Sequence, residues 1–218
     1  MDFYLADREK ELRLVSDLIP YNWSMAQNNL ADNKTNMIYR IDNFNDFMNY
    51  FGNLRNENPD LFGYACNRWF NYHSAMCVER IFSYQDRVDE QNSNYGYISK
   101  KNRQIDFFID GVPFDHKTTV LPRCFYSRIS EIHNRDFKIE VMRWLYKNQS
   151  NGKRFGLNNR IFVMVVKKKN PRLSWKGKSL LKLINQRVEE FMDSPDFITF
   201  RCQKTKHRFR SALIVVDF

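Results

Sequence analysis

The stretch QIDFFIDGVPFDHKTT (Gln104–Thr119) decides the fold that this sequence predicts. Asp110-Gly111 at its centre is a two-residue turn signal, and the segments on either side alternate and are rich in β-branched and aromatic residues. Together these features predict a β-hairpin with a type I′ turn. The turn sets the register of the two strands, so that Phe107 faces Phe114 and Ile109 faces Val112 on one surface of the ribbon.

The other surface of the predicted hairpin is polar, because successive side chains in a strand point to opposite faces. Asp106 faces Asp115 there, and Lys117 follows two residues later. Like charges directly opposite each other destabilise a sheet, so this pair suggests a bound divalent cation. Mg²⁺ is commonly held by one or two carboxylates and a substrate phosphate, beside which Lys117 would offset developing negative charge. The alternative is a solvated polar face with a loose Asp–Lys pair.

These residues resemble a known family. A strand with an aspartate, a tight connection and a second strand reading apolar-(Asp/Glu)-x-Lys is the signature of the restriction-endonuclease-like, or PD-(D/E)xK, nuclease superfamily. The two strands read Ile105-Asp106-Phe107 and Phe114-Asp115-His116-Lys117 in this sequence. No proline precedes Asp106, which departs from the literal pattern.

The resemblance implies an α/β fold with a restriction-endonuclease-like core, a central mixed β-sheet flanked by helices. The core of the family runs helix, three strands, helix, strand. Hydrophobic periodicity predicts elements in that order across about Asp60–Lys167. They are a helix from Leu61 to about Phe82, a strand at Tyr95–Lys100, the hairpin, a helix from about Arg135 to Lys147, and a buried strand at Arg160–Val166.

The resemblance also implies a catalytic site. Asp106 and Asp115 would hold Mg²⁺, with Mn²⁺ able to substitute, and Lys117 would position the attacking water or offset transition-state charge. Glu79 lies near the end of the first core helix and matches the acidic ligand that this helix often supplies. The alternative for Glu79 is a surface glutamate paired with Arg80 or Arg68.

Composition limits the class of protein. The chain has 218 residues, of which 43% are hydrophobic and 16% aromatic, enough for a substantial core. No apolar run approaches the roughly 20 residues of a spanning helix, and the charged start lacks a signal-peptide core. The four cysteines are scattered without a Cys-x-x-Cys pair, which favours a reducing, cytoplasmic setting over a zinc site or a disulfide framework.

The positive charge is concentrated in the last third of the chain. Residues 151–218 contain 16 Lys and Arg against 5 Asp and Glu, whereas residues 1–150 are nearly neutral. Such a localised excess is typical of nucleic-acid binding, although solvated surface lysines give the same composition. The expected nucleic-acid contacts are Arg123, Lys167, Lys168, Lys169, Arg172, Trp175, Lys176, Lys204, Lys206, Arg208 and Arg210.

These observations predict three segments: a mainly helical packing segment at 1–58, the nuclease-like core at 59–168, and a basic helix-plus-strands extension at 169–218 that completes the same domain. The predicted activity is metal-dependent phosphodiester hydrolysis by an endonuclease of the restriction, repair or phage/mobile-element type, with DNA favoured as the substrate. The open alternatives are an RNA-cleaving enzyme of the same fold, a non-catalytic nucleic-acid-binding protein, and a coincidental motif. A homodimer is compatible with the sequence, but no segment identifies an interface.

Overall fold

The computed structural model describes residues 2–19, 29–89, 105–148, 159–201 and 206–218. It has an α/β fold with a mixed β-sheet flanked by helices, as predicted. The predicted strand at Tyr95–Lys100 and the predicted contact Lys204 lie outside the described residues.

The described residues form seven α-helices and six strands. The helices are α1 (Asp2–Leu18), α2 (Asn29–Lys34), α3 (Phe44–Phe51), α4 (Leu54–Glu57), α5 (Pro59–Ser83), α6 (Arg135–Asn148) and α7 (Leu181–Asp193). The strands are β1 (Val88–Asp89), β2 (Phe107–Ile109), β3 (Val112–Val120), β4 (Arg160–Val166), β5 (Ile198–Arg201) and β6 (Arg208–Asp217). Three 3-10 helices cover Asn36–Arg40, Arg123–Glu131 and Pro171–Ser179.

The predicted hairpin is formed by β2 and β3. Phe107 pairs with Phe114, and Ile109 with Val112, in the expected register. Asp110 and Gly111 have φ values of 49° and 74°. A type I′ turn requires positive φ at both central residues, so the predicted turn type is confirmed.

The six strands make one sheet in the order β1-β2-β3-β4-β6-β5. Strand β2 pairs antiparallel with both β1 and β3. Strands β3, β4 and β6 are parallel, and β5 pairs antiparallel with β6. Helix α6 provides the crossover between parallel strands β3 and β4. From α5 onward the order is helix, three strands, helix, strand, with β1 at Val88–Asp89 as the first strand.

Strand β4 is the centre of the sheet, as its apolar sequence predicts. All seven of its residues are buried, because β4 lies between two parallel neighbours and is covered on both faces. On one face Phe162 and Met164 belong to a core with Phe137, Val141 and Leu145 of α6. Trp144 was expected to face the sheet too, but its side chain is 36% exposed.

Pro59 and Asp60 are residues typical of the first turn of a helix, and α5 begins at Pro59. The Asn58 side chain accepts a hydrogen bond from the Leu61 N–H, which satisfies one of the free donors of the first turn. In the last turn the Phe82 ring stacks on Phe107, with 4.6 Å between the ring centroids. This contact holds the end of α5, and therefore Glu79, against the β2–β3 hairpin.

The chain divides into two compact units: Met1–Cys77 with Lys178–Lys182, and Val78–Gly177 with Leu183–Phe218. The first boundary lies within α5. The predicted segments at 1–58, 59–168 and 169–218 stay a prediction. The first unit is helical, with a core that includes Phe47, Phe51 and Trp69. The second unit contains the whole sheet.

Two local predictions are corrected. The sequence MIYRI at Met37–Ile41 suggests a short strand, but a 3-10 helix covers Asn36–Arg40. Only Ile38 and Ile41 of that stretch are buried, and a spacing of three suits a helical turn, not the two-residue period of a strand. Arg208 and Arg210 were expected in a turn, yet both lie in β6.

Among the described residues, no helix is long and apolar enough to cross a membrane.

The turn conformation makes a stability prediction. Replacing Gly111 with Ala forces a side chain into the left-handed region and should lower the free energy of unfolding by about 1–2 kcal/mol. Gly111→Asn should cost clearly less, since asparagine tolerates this conformation. Urea denaturation followed by circular dichroism measures both, and equal losses for the two variants would contradict the type I′ assignment.

Candidate metal centre and its surroundings

Three elements of the second unit bring potential metal ligands together. Glu79 comes from the last turn of α5, Asp106 immediately precedes β2, and His116 lies in the middle of β3. One ligand atom from each residue lies within 4.8 Å of the corresponding atoms of the other two. We call these three residues the metal centre, because their atoms lie close enough to hold an ion; that they bind one stays a prediction.

Asp106 takes its position where the hairpin stops being regular. The Asp106 N–H donates to the Phe114 carbonyl at 2.9 Å, and its Oδ2 accepts a hydrogen bond from the His116 N–H at 2.6 Å. The paired ladder therefore ends at Phe107, and a side-chain carboxylate replaces the next backbone acceptor. The predicted direct pairing of Asp106 with Asp115 does not occur, because the ladder has ended one residue earlier.

The surroundings of Asp106 disfavour its negative charge. Burial raises the pKa of this carboxyl, and the neighbouring Glu79 charge raises it further. The hydrogen bond from the His116 N–H acts in the opposite direction but does not cancel these effects. A cation between Glu79 and Asp106 would relieve both costs.

His116 is the most buried member of the metal centre, with a fully buried side chain. Its Nε2 lies 3.0 Å from the Thr118 Oγ1. Its Nδ1 is 3.6 Å from the Glu79 Oε1, beyond hydrogen-bonding distance, and has no hydrogen-bond partner among the described residues. A buried nitrogen without a partner is costly, so Nδ1 is available to bind a ligand or a water at this point.

The donor set fits a divalent cation. Two carboxylates supply hard oxygen ligands and negative charge, and the imidazole supplies a nitrogen donor. Glu79 is partly exposed, which leaves an approach from solvent. The competing interpretation is a protonated His116 that pairs with Glu79 across 3.6 Å.

Asp115 belongs to a different cluster. Its Oδ2 lies 2.5 Å from the Arg160 Nε and its Oδ1 lies 3.4 Å from the Lys117 Nζ, and both Asp115 and Arg160 are almost fully buried. The Arg160 guanidinium also lies over the rings of Tyr146 and Phe162, at 5.5 and 5.7 Å from their centroids. This cluster packs against α6, whereas adjacent His116 points to the α5 side of β3.

The structure thus unites part of the predicted site. Glu79 reaches the sheet as expected and meets Asp106, but the third close donor is His116, not Asp115. The charge of Asp115 still acts at the metal centre, since it contributes to the raised pKa of Asp106. The ligand roles of Glu79, Asp106 and Asp115, and the role of Lys117, stay predictions.

Sequence reasoning missed His116 and Arg160. Alternation along the predicted hairpin puts His116 opposite Ile105 on the apolar side of the ribbon, where a titratable ring signals a polar neighbour across the sheet. Arg160 begins an otherwise apolar strand, and a charged residue there requires a buried partner. That partner, Asp115, is its Cα neighbour on parallel strand β3.

The expected nucleic-acid contacts mostly lie at the surface of the second unit. Lys168 is exposed and pairs with Asp217 at 2.6 Å. The Lys176 Nζ lies 5.7 Å from the centroid of the partly buried Trp175 ring, and the Lys167 Nζ lies 5.7 Å from the centroid of the Phe218 ring. The exposed members are Arg123, Lys168, Lys169, Arg172, Lys206, Arg208 and Arg210.

Arg201 extends this basic surface and was not predicted. It lies directly opposite Arg208 in the β5–β6 ladder, and both side chains are exposed. Arg210 projects from the same face of β6, opposite Thr199. Like charges opposite each other destabilise a sheet, so this edge favours an anionic partner.

Comparisons of the chain with models of protein families, with curated proteins and with solved structures give no significant match.

The buried Asp115–Arg160 pair predicts a large stability effect. Asp115→Ala leaves the Arg160 guanidinium buried without its carboxylate and should lower the free energy of unfolding by about 3–5 kcal/mol. The double variant Asp115→Leu/Arg160→Met should recover most of that loss, because it removes both charges. Urea denaturation measures each variant, with Glu140→Gln on the exposed Arg128 pair as the control that should change little. A single variant as stable as the wild type would contradict the pairing.

The raised pKa of Asp106 predicts a gain of stability on removing its charge. A carboxyl whose pKa is higher in the folded state destabilises that state as pH rises through the titration. Asp106→Asn should therefore raise the free energy of unfolding of metal-free protein near neutral pH, while the amide oxygen keeps the hydrogen bond from His116. The gain should disappear below the ordinary carboxyl pKa of about 3.9. Urea denaturation in EDTA at both pH values measures this difference, and a loss at neutral pH would contradict it.

Proposed function

We propose that this chain is a metal-dependent nuclease that hydrolyses phosphodiester bonds, with DNA favoured over RNA as the polymer. The single observation that carries the proposal is the convergence of Glu79, Asp106 and His116 at one point of the sheet, where the His116 Nδ1 has no hydrogen-bond partner among the described residues. In a basic chain, a small cation site of this kind is suited to an anionic, phosphate-bearing substrate.

The arrangement of elements supports the resemblance to the PD-(D/E)xK superfamily. The order from α5 to β4 is helix, three antiparallel strands, helix, parallel strand. Acidic residues lie at the end of the first helix and at the start of the second strand, as that family would require. The departure is at the third strand, where His116 replaces Asp115 as the donor nearest to Glu79 and Asp106.

The charge distribution supports a nucleic-acid substrate. Residues 151–218 carry the basic excess of the chain, and exposed Arg201, Arg208 and Arg210 share one face of the β5–β6 pair. Lysine and arginine neutralise backbone phosphates irrespective of base sequence. Binding through this surface would therefore depend strongly on salt and weakly on sequence.

The side chains of the metal centre and Lys117 have different roles in the proposed hydrolysis. A divalent ion held by Glu79, Asp106 and His116 would lower the pKa of a bound water and polarise the scissile phosphate. The His116 N–H fixes the Asp106 carboxylate by a 2.6 Å hydrogen bond, which orients it before any ligand arrives. The Lys117 ammonium is 41% exposed and lies beside Asp115, on the face of β3 opposite to His116, so it would contact a phosphate of the bound polymer from that face and not at the ion.

The test is cleavage of supercoiled plasmid, linear duplex DNA and single-stranded RNA with Mg²⁺, Mn²⁺ or EDTA. Glu79→Gln and Asp106→Asn keep the size of the side chain and remove one ligand charge, so each should reduce the rate by about 10²-fold or more. Asp115→Ala is a poor probe here, because loss of the Arg160 partner would itself destabilise the fold. The matched control is Glu140→Gln, an exposed acid on α6 that should cut like the wild type.

Each outcome has a distinct meaning. Metal-dependent cutting that both ligand variants reduce would support the nuclease and identify its polymer. Salt-sensitive binding without cutting of any substrate would overturn the enzymatic proposal and leave a nucleic-acid-binding protein. Cutting that survives in both variants would mean that another site performs the chemistry.

A further inference from the structure

We propose that the metal centre selects a first-row transition ion, such as Mn²⁺, over Mg²⁺, and that Thr118 is the positioning residue that makes His116 a ligand. The inference rests on the metal centre of the proposed nuclease but does not require cleavage activity. It differs from the Mg²⁺ site that the sequence motif predicts, because the third close donor is a nitrogen.

Ligand chemistry is the first argument. Mg²⁺ demands a nearly ideal octahedral shell of oxygens and usually keeps several waters, whereas imidazole suits transition ions. Glu79 and Asp106 alone would not discriminate, since carboxylates bind Mg²⁺, Ca²⁺ and Mn²⁺ alike. The His116 Nδ1, 3.6 Å from the Glu79 Oε1, adds the donor that discriminates.

The two nitrogens of the His116 ring supply the second argument. The Nε2 lies 3.0 Å from the Thr118 Oγ1, while the Nδ1 has no hydrogen-bond partner among the described residues. If the proton is on Nε2, this N–H donates a hydrogen bond to the Thr118 Oγ1. The lone pair of Nδ1 then points at the two carboxylates. Metal-binding histidines characteristically donate their other N–H to such an oxygen, which fixes both the tautomer and the ring orientation.

The opposite tautomer is less well satisfied. A proton on Nδ1 would point at Glu79, but 3.6 Å is too long for a hydrogen bond. The side chain is fully buried, so a proton on Nδ1 would have no protein partner at hydrogen-bonding distance among the described residues. A cation between these three electron-rich donors would offset the cost of holding them close together.

Thr118 also has a natural control in the chain. Thr118 and Thr119 are consecutive in β3, so their side chains point to opposite faces of the sheet. The Thr119 Oγ1 donates to the Val120 carbonyl at 3.4 Å and not to His116. Thr→Val is nearly isosteric at both positions, so the two substitutions differ in whether the His116 ring loses its partner.

The experiment measures metal binding to the metal-free full chain by isothermal titration calorimetry, without nucleic acid. Mn²⁺ should bind the wild type at least about tenfold more tightly than Mg²⁺. Thr118→Val should weaken Mn²⁺ binding by about 10–100-fold, while Thr119→Val should leave it unchanged. His116→Asn puts an amide oxygen near the position of Nδ1, so it should abolish most of the preference for Mn²⁺. Thermal unfolding by circular dichroism establishes that each variant is folded.

Two results would overturn the inference. Equal Mn²⁺ and Mg²⁺ affinities in the wild type would mean that the imidazole is not a ligand, and so would a preference that persists in folded His116→Asn. The nuclease proposal can fail independently of this inference. Selective Mn²⁺ binding without cleavage would support the metal centre and overturn only the proposed nuclease activity. Cleavage at equal rates with Mn²⁺ and Mg²⁺, together with equal affinities for the two ions, would support the nuclease proposal and overturn the proposed preference for Mn²⁺.

Discussion

The pairing of Asp115 with Arg160 is the interaction on which the rest of the second unit depends. The two residues are Cα neighbours on parallel strands β3 and β4, and both side chains are almost fully buried. Two charges in such a position are tolerated only together, because each alone would carry a large desolvation cost. The pair therefore favours one register of β3 against β4 and one orientation of each β3 side chain.

That orientation determines which residues form the metal centre. Once Asp115 points toward α6, the alternation of the strand turns His116 toward α5, where Glu79 completes the last turn of the helix. Asp106 joins them because the β2–β3 ladder ends at Phe107 and its carboxylate takes over the next hydrogen bond from β3. The site thus arises at an irregularity of the sheet, and its acids are held close together against their mutual repulsion.

The basic surface follows from a different property of the same sheet. Strand β6 pairs with β5 over Arg208–Ser211 and with parallel β4 only from Ser211 onward, so its first three residues extend beyond β4. Phe209 points into the core there, while Arg208 and Arg210 alternate outward beside Arg201. One strand therefore contributes both to the core and to a row of exposed cations. Among the described residues no ion pair neutralises these arginines, whereas Asp217 pairs with Lys168.

The sequence by itself determined the elements whose signals are local. The Asp110-Gly111 turn, the register from Phe107 to Phe114, the start of α5 and the buried strand β4 all follow from turn chemistry, capping and hydrophobic period. These determinants act within a few residues, so the local sequence is enough to predict them.

The composition of the metal centre and of the buried ion pair depends on the tertiary structure. Both depend on which side chain of β3 meets α5 and which meets β4, and on the end of the ladder at Phe107. Residues distant in the sequence, such as Arg160 and Glu79, determine how the β3 side chains are oriented. The free-energy cost of burying a charge depends on the side chain that lies opposite it in the folded protein.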